Sequence, residues 1–308
     1  MLWLGPRQGY LSDWVTQRWV QLTGKRVDLE REPWLEGPVG KTTGIGPQFF
    51  EELAAESGLL VQRQPPNSGL IEDFGRLASA EFSPEKVSPQ IIDFYEHTSN
   101  YELDAWAEWN GLFRPLGRAL AGLFSRRLQQ LNVPLTGLDT SLGVTSEVVR
   151  LVEPYTGRVR YTAWVRQLRS NNHVLYAGTY SVCKIPGQEG ACVKVVFPLP
   201  NGNAVVVMKP KAHDDGSFSI TSSGKGFGDA GFYFTVRDRG SRFWVRYVPT
   251  MRETIRVYPS GADVRADHEF RIWGQVFLRL HYRLRPRKSP STATSADGVL
   301  SPSRPGTA

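Results

Sequence analysis

Residues 158–183 read RVRYTAWVRQLRSNNHVLYAGTYSVC, and this stretch decides the fold. Its two halves flank Ser170-Asn171-Asn172, a composition typical of a turn. In the first half one face carries Val159, Tyr161, Ala163 and Val165, and the other carries Arg158, Arg160, Thr162 and Arg166. Alternation with a period of two on both sides of a turn predicts a pair of antiparallel strands.

The same pattern continues along the chain from Val144 to Arg285. Turn sequences such as Asn201-Gly202, Asp215-Gly216 and Asp238-Arg239-Gly240 separate further alternating runs. The predicted strands are 158–168, 174–183, 191–197, 203–209, 217–221, 231–237, 242–248, 253–258, 263–272 and 275–284. About ten strands with short links predict an antiparallel β domain over residues 144–286, either a barrel or a strongly curved sheet.

Residues 1–135 predict a helical region, so that the fold class is α+β with N-terminal helices packed on the β domain. Predicted helices run from Ser12-Asp13 to Gly24, from Pro47 to Ser57, more weakly from Leu70 to Ala80, from Ser88-Pro89 to Trp109, and over 112–131. In the fourth of these an apolar stripe includes Phe94, Tyr101 and Trp109.

The helix predicted over 112–131 is both basic and amphipathic. Two interpretations stay open: the helix lies on an anionic membrane surface, or it packs on the β domain with its arginines in water. Residues 287–308 are mostly Ser, Pro, Thr, Ala and Gly, which bury too little apolar surface to offset the entropy of ordering. We therefore predict a disordered tail there.

Charge and cysteine usage suggest a compartment. The 308-residue chain has a formal net charge of +7, which favours anionic partners. The N-terminus does not resemble a signal peptide, and no run approaches the roughly 18 apolar residues that span a bilayer. Cys183 and Cys192 flank a predicted hairpin, and without a histidine pair they do not indicate zinc. We expect a soluble, cytoplasmic protein with free thiols and with no metal or cofactor.

Arginines recur at alternate positions in the last strands, for example Arg242 and Arg246, Arg265 and Arg271, and Arg279 and Arg283. With Arg158, Arg160 and Arg166 they predict one basic face of the sheet. That face either binds an anion or lies in solvent, where the arginines pair with Asp267, Glu269, Glu253 and Glu147. We favour the solvated face and expect no nucleic-acid partner, because no recognised nucleic-acid motif is present.

His268 is the histidine with the clearest functional interpretation. The period of two places it with Ala266 and Phe270 on an apolar face, so that Asp267 and Glu269 point outward and do not form a triad with it. A buried imidazole either binds a ligand, acts as a general base, or is a satisfied core residue.

The loop Ser222–Gly231 contains Gly226-x-Gly228-x-x-Gly231, which has the glycine spacing of the dinucleotide-binding fingerprint. A strand follows it where that fingerprint needs a helix, so we do not predict a nucleotide site. The glycines instead indicate a mobile loop over a barrel mouth, with Phe227 at its centre. In the same way Asp214-Asp215-Gly216 after His213 is typical of a turn.

The strand count and the short hairpins resemble lipocalin-like barrels in architecture only, since the β domain does not open with the Gly-x-Trp of those barrels. A barrel of this size has room for one small ligand. We therefore predict a cavity that binds a small hydrophobic or amphipathic, lipid-like molecule. The predicted ligand-binding residues are His268, Tyr161, Tyr176, Tyr180, Phe243, Tyr247 and Phe227. Two alternatives are an enzyme with a His/Tyr acid–base site in that cavity, and a peripheral membrane or scaffold protein that uses helix 112–131.

Overall fold

The fold is known from a computed structural model, which describes residues 2–46, 48–111, 113, 115, 142–170, 172–238 and 240–287. The structure is mostly antiparallel β-sheet, with 47% of residues in strands, and three α-helices have described bounds. Almost all of the helix predicted over 112–131 and of the tail predicted over 287–308 lies outside the described residues.

The helices are short, and the first two lie close to their predicted ranges. Helix α1 spans Leu11–Thr23, α2 spans Phe49–Ser57 and α3 spans Pro89–Glu96. Gly58 ends α2 with a left-handed φ of 65°, a conformation that a residue without a Cβ adopts at little cost. The helix predicted over Leu70 to Ala80 is wrong in extent: only a single 3₁₀ turn forms there, at Phe74–Leu77.

Fourteen strands make up the described sheet. They are β1 (Lys25–Val27), β2 (Leu60–Arg63), β3 (Tyr101–Trp109), β4 (Val144–Val152), β5 (Val159–Leu168), β6 (Val174–Cys183), β7 (Cys192–Leu199), β8 (Gly202–Ala212), β9 (Phe218–Thr221), β10 (Gly231–Arg237), β11 (Phe243–Tyr247), β12 (Met251–Ser260), β13 (Asp263–Ile272) and β14 (Gln275–Pro286). Strands β5 to β14 match the ten predicted strands closely in position.

The sheet is strongly curved. Its main path runs β2-β4-β5-β6-β7-β8-β9-β12-β13-β14-β3, and every pairing is antiparallel. The two halves of β8 pair with different strands: Gly202–Val207 pair with β10, and Lys209–Ala212 pair with β9. No hydrogen-bonded ladder among the described strands joins β3 to the other end of the path, so the sheet is not closed into a barrel. The curved sheet is therefore confirmed, and the barrel is not.

The prediction of one helix from Ser88 to Trp109 is wrong in its second half. Helix α3 ends at Glu96, a 3₁₀ turn follows, and Tyr101–Trp109 form β3. In this strand Tyr101, Leu103 and Ala105 are buried, whereas the intervening Glu102 and Asp104 are not. Alternation with a period of two, together with pairing against all but the start of β14, outweighs the helical stripe that Tyr101, Ala105 and Trp109 also match.

Part of the sheet is buried on both faces. On the outer face of β4, β5 and β6, α2 packs Phe49, Phe50 and Ala54 against a cluster that includes Ala163 and Val165. On the inner face lies the largest core cluster, which the 3₁₀ turn and α3 cover with aromatic side chains. Because both faces of β5 are covered, Ala163, Trp164, Val165 and Arg166 are all buried in succession.

Candidate functional site

A cavity of about 240 Å³ lies on the inner, concave face of the sheet. Strands β5, β6, β12, β13 and β14 contribute much of its wall, and α3 contributes Phe94 and Tyr95. If each non-hydrogen atom takes roughly 30 Å³, as water does in the liquid, the cavity has room for about eight such atoms. Most of its lining is aliphatic or aromatic, which is the usual lining of a small-molecule site.

A few polar side chains also line the cavity. Arg166 comes from β5, Glu253 from β12 and His268 from β13. Four tyrosines accompany them, namely Tyr95, Tyr176, Tyr180 and Tyr282. Convergence of a few polar groups in a largely apolar cavity is what gives such sites their orientation and specificity.

His268 and Glu253 form a buried pair. His268 Nε2 lies 2.9 Å from Glu253 Oε2, and the exposed fractions of the two side chains are 12% and 7%. The pair is held in place because the Glu253 backbone N–H donates to Ser222 Oγ at 2.9 Å and the imidazole ring lies 3.9 Å from the ring centre of Phe270. A carboxylate that bonds Nε2 orients the imidazole and leaves Nδ1 for a ligand.

Arg166 lies among aromatic rings and is only 4% exposed. Its guanidinium carbon is 3.9 Å from the ring centre of Tyr176, 4.2 Å from that of Trp164 and 5.3 Å from that of Tyr282. Such stacking stabilises a cation through the electron-rich ring faces. Burial lowers the pKa of Arg166, but the neighbouring phenol oxygens outweigh this and hold it above its ordinary value. Arg166 is therefore a permanent cation.

The tyrosines of the cavity remain protonated at neutral pH. Burial raises the pKa of Tyr180 to about 12, and burial also raises the pKa values of Tyr176 and Tyr282. Gly178 lies between Tyr176 and Tyr180 on the same face of β6, and a Cβ there would sit 3.0 Å from the Tyr176 hydroxyl oxygen. The glycine thus gives the Tyr176 ring room to lie along the strand. All three phenols can donate a hydrogen bond to a ligand.

The structure brings together three of the predicted ligand-binding residues and separates the other four. His268, Tyr176 and Tyr180 line the cavity. Tyr161 lies on the opposite face of β5, against the cluster that contains α2. Phe227 and Tyr247 pack in another cluster with Trp34, and Phe243, on β11, also lies outside the cavity lining.

Among the cavity residues that escaped prediction as site residues are Arg166, Trp164, Glu253 and Tyr282. Arg166 was expected in the solvated basic face, and that placement is wrong because the inner face of β5 carries Thr162, Trp164 and Arg166. One signal was present in the sequence: Trp164-x-Arg166 is paired across the ladder with Tyr176-x-Gly178. An arginine flanked by three rings is more typical of a buried stacked cation than of a solvated one.

Most of the other arginines do lie in the solvated face that we favoured. Arg271 and Arg279 pair with Glu269, and Arg283 pairs with Asp263 at 2.7 Å. Glu253 was expected to pair with this face, but it points inward to His268 instead. Exposed pairs of this kind contribute little to stability, typically below about 1 kcal/mol.

The glycine loop does not cover the cavity. Asp229 Oδ2 accepts hydrogen bonds from the backbone N–H groups of Lys225 and Gly226, and the Tyr233 hydroxyl donates to the Asp229 carbonyl. Phe227 packs 5.5 Å from Trp34, ring centre to ring centre. The expected loop over a barrel mouth is therefore a pinned loop at another part of the sheet.

The two remaining candidate clusters are structural. Asp215 accepts hydrogen bonds from the backbone and hydroxyl of Ser217, and these lower its pKa to about 2, which agrees with a turn. Cys183 and Cys192 face each other in the β6–β7 ladder as free thiols. Among the residues that the structure describes, no group of three or more His, Cys, Asp or Glu side chains could hold a metal ion.

Comparison with known proteins gives one relative. No family model and no solved structure match the chain. The Uncharacterized membrane protein YndJ of Bacillus subtilis (strain 168) is 29% identical over 252 residues, which are 81% of this chain and 43% of the relative. The chain thus spans less than half the length of this relative, whose name gives no ligand or reaction.

This likeness corrects the expectation of a soluble, cytoplasmic protein, because the relative is named a membrane protein. In the described part of the chain no helix is long and apolar enough to cross a bilayer. The match covers 43% of the relative, so the comparison says nothing about the remaining part of that protein.

Proposed function

We propose that the protein binds a small hydrophobic or amphipathic molecule in the cavity on the concave face of its sheet. One observation carries the proposal: a largely apolar cavity of about 240 Å³ with an arginine, a His–Glu pair and four tyrosines in its wall. Apolar ligand surface that leaves water on entering such a cavity contributes roughly 25 cal/mol per Å² to binding, and the few polar groups fix the orientation of the ligand.

The relative adds a direction to this proposal. Because it is named a membrane protein, an amphipathic molecule related to lipids is a natural occupant for a cavity of this lining. Binding to an anionic membrane surface through residues 112–131 stays a prediction, since those residues lie almost entirely outside the described part of the chain. The net charge of +7 is its support.

We expect protein purified from its own host to carry a small molecule. Native mass spectrometry should then show a mass above that of the chain, and extraction into organic solvent should release the additional mass. The control is the same protein after unfolding in urea and dialysis, which should show the mass of the chain alone. A purified protein that has only the mass of the chain, and that binds no amphiphile of about eight non-hydrogen atoms, would contradict the proposal.

The second candidate function is an enzyme that acts on a similar molecule. The observation that favours it is the 2.9 Å contact between His268 and Glu253 in the wall of the cavity. In this scheme the carboxylate orients the imidazole, which acts as the general base, and a protonated tyrosine donates a proton. General acid–base groups of this kind contribute about 10²- to 10⁴-fold to a rate.

Replacing His268 by phenylalanine separates binding from catalysis. We expect the variant to keep its ligand and to lose any conversion of it, because the aromatic ring fills the same space without a proton-accepting nitrogen. The measurement is mass spectrometry of the extracted ligand after incubation with each protein, with Glu253→Gln as a second variant. If the ligand is unchanged by the wild-type protein as well, the binding function alone stands.

A further inference from the structure

The charge of Arg166 is not balanced within the described structure. No carboxylate of the described residues forms an ion pair with it, and its Nε is buried without a hydrogen-bond partner. By contrast, Arg256 pairs with Asp215 at 2.6 Å and Arg283 pairs with Asp263 at 2.7 Å on the outer face. A charge that is nine-tenths buried and lacks a counter-ion is costly, and a bound anion would offset that cost.

The Tyr282 hydroxyl is a hydrogen-bond partner of Arg166, but no carboxylate among the described lining residues is free to pair with the guanidinium. Glu253 is the carboxylate among the described lining residues, and it is already bonded to His268. The rings next to the guanidinium belong to Trp164, Tyr176 and Tyr282. A guanidinium with phenol O–H groups nearby matches a planar oxyanion that has two acceptor oxygens.

We infer that the ligand is a small organic acid whose carboxylate binds Arg166 and whose apolar body fills the rest of the cavity. This inference rests on the proposed function and names the ligand class for the same site. A single negative charge balances Arg166. A doubly charged phosphate monoester would bring a second charge into a cavity that already contains the Glu253 carboxylate. With room for about eight non-hydrogen atoms, the acid is a short- to medium-chain fatty acid or a one-ring aromatic acid.

The test compares an acid with the alcohol of the same length. Hexanoate and 1-hexanol are titrated into the protein at pH 7.5 by calorimetry, with the fluorescence of the cavity tryptophans, which include Trp164, as a second readout. We expect hexanoate to bind about 10- to 100-fold more tightly, the usual effect of hydrogen bonds to a charged group. Benzoate, compared with benzyl alcohol, tests the aromatic class in the same way.

Variants assign that preference to Arg166. In Arg166→Met the preference for the acid should disappear, whereas the affinity for 1-hexanol should change less than about threefold. Arg166→Lys keeps the charge without the planar fork, and it should restore part of the preference. The matched control is Arg252→Met, which makes the same change at an exposed position of β12 and should leave both affinities unchanged.

The outcomes separate the inference from the proposed function. Equal affinities of the wild-type protein for the acid and the alcohol would overturn the inference and leave the binding function standing. Binding of neither class at millimolar concentration would overturn both. A preference for the acid that survives in Arg166→Met would contradict the inference, because the ligand carboxylate would then bind a group other than Arg166. The wild-type comparison decides the matter even if a variant at position 166 fails to fold.

Discussion

Replacing Ala266 by phenylalanine is expected to weaken ligand binding at least about 100-fold while the sheet remains folded. Ala266 lies in the cavity wall on β13, is 4% exposed, and is paired with Val257 and Tyr282 on the neighbouring strands. The new ring adds six carbons to a cavity with room for about eight atoms. Each buried methylene contributes about 0.8 kcal/mol, so the displacement of several ligand atoms exceeds a factor of 100. Calorimetric titration with hexanoate and 1-hexanol measures the loss.

The control for this variant is Ala80→Phe, which adds the same ring at an exposed position. It should bind both ligands as the wild type does. The midpoint of urea unfolding is measured for each protein, because overpacking of a core costs about 1–3 kcal/mol where the ring does not fit the space. Unchanged ligand affinity in a folded Ala266→Phe protein would mean that the ligand binds elsewhere.

Replacing Phe218 by alanine is expected to lower the free energy of unfolding by about 3–5 kcal/mol, the usual range for a buried phenylalanine. Phe218, on β9, is fully buried. Its ring centre lies 5.1 Å from that of Phe74, 5.6 Å from that of Phe82 and 5.5 Å from that of Tyr95. These rings attach the 3₁₀ turn and α3 to the inner face of the sheet, so the loss combines buried area, a new void and three aromatic contacts.

Urea unfolding followed by tryptophan fluorescence measures this loss. The matched control is Phe243→Ala, which removes the same side chain from a half-buried position on β11. We expect the control to lose less than half as much stability. Equal losses at the two positions would show that the aromatic cluster around Phe218 is not what holds the helical cover on the sheet.

Local patterns predicted the strands of the β domain well, but they did not predict β3, the strand at one end of the sheet. From Val159 onward, alternation and turn residues such as Asn201-Gly202 place ten strands, because each hairpin is decided by residues near it in the chain. Strand β3 is different, since its partner β14 lies about 170 residues later in the sequence. Tyr101, Ala105 and Trp109 match a helical stripe and a strand face equally, and the choice between them depends on that distant ladder.

The cavity shows the same division between local and distant information. Tyr176, Tyr180 and His268 were predicted because each shares a strand face with apolar residues two positions away. Arg166 was not, because helix α2 covers the outer face of β5 and makes both faces of that strand apolar around it. A period of two then says which residues share a face, without saying which face is the inner one.

The pairing of β3 with β14 bears on when the protein can act during its synthesis. Leu278, Leu280, Tyr282 and Leu284 of β14 line the cavity, so a nascent chain that stops before Gln275 lacks one side of it. Translation must run nearly to residue 286 before β3 finds its partner, and until then the apolar edges of the incomplete sheet are open to unwanted association. Contacts between residues so distant in sequence also fold slowly. The wall of the cavity is therefore complete only after β14 has been synthesised and has paired with β13.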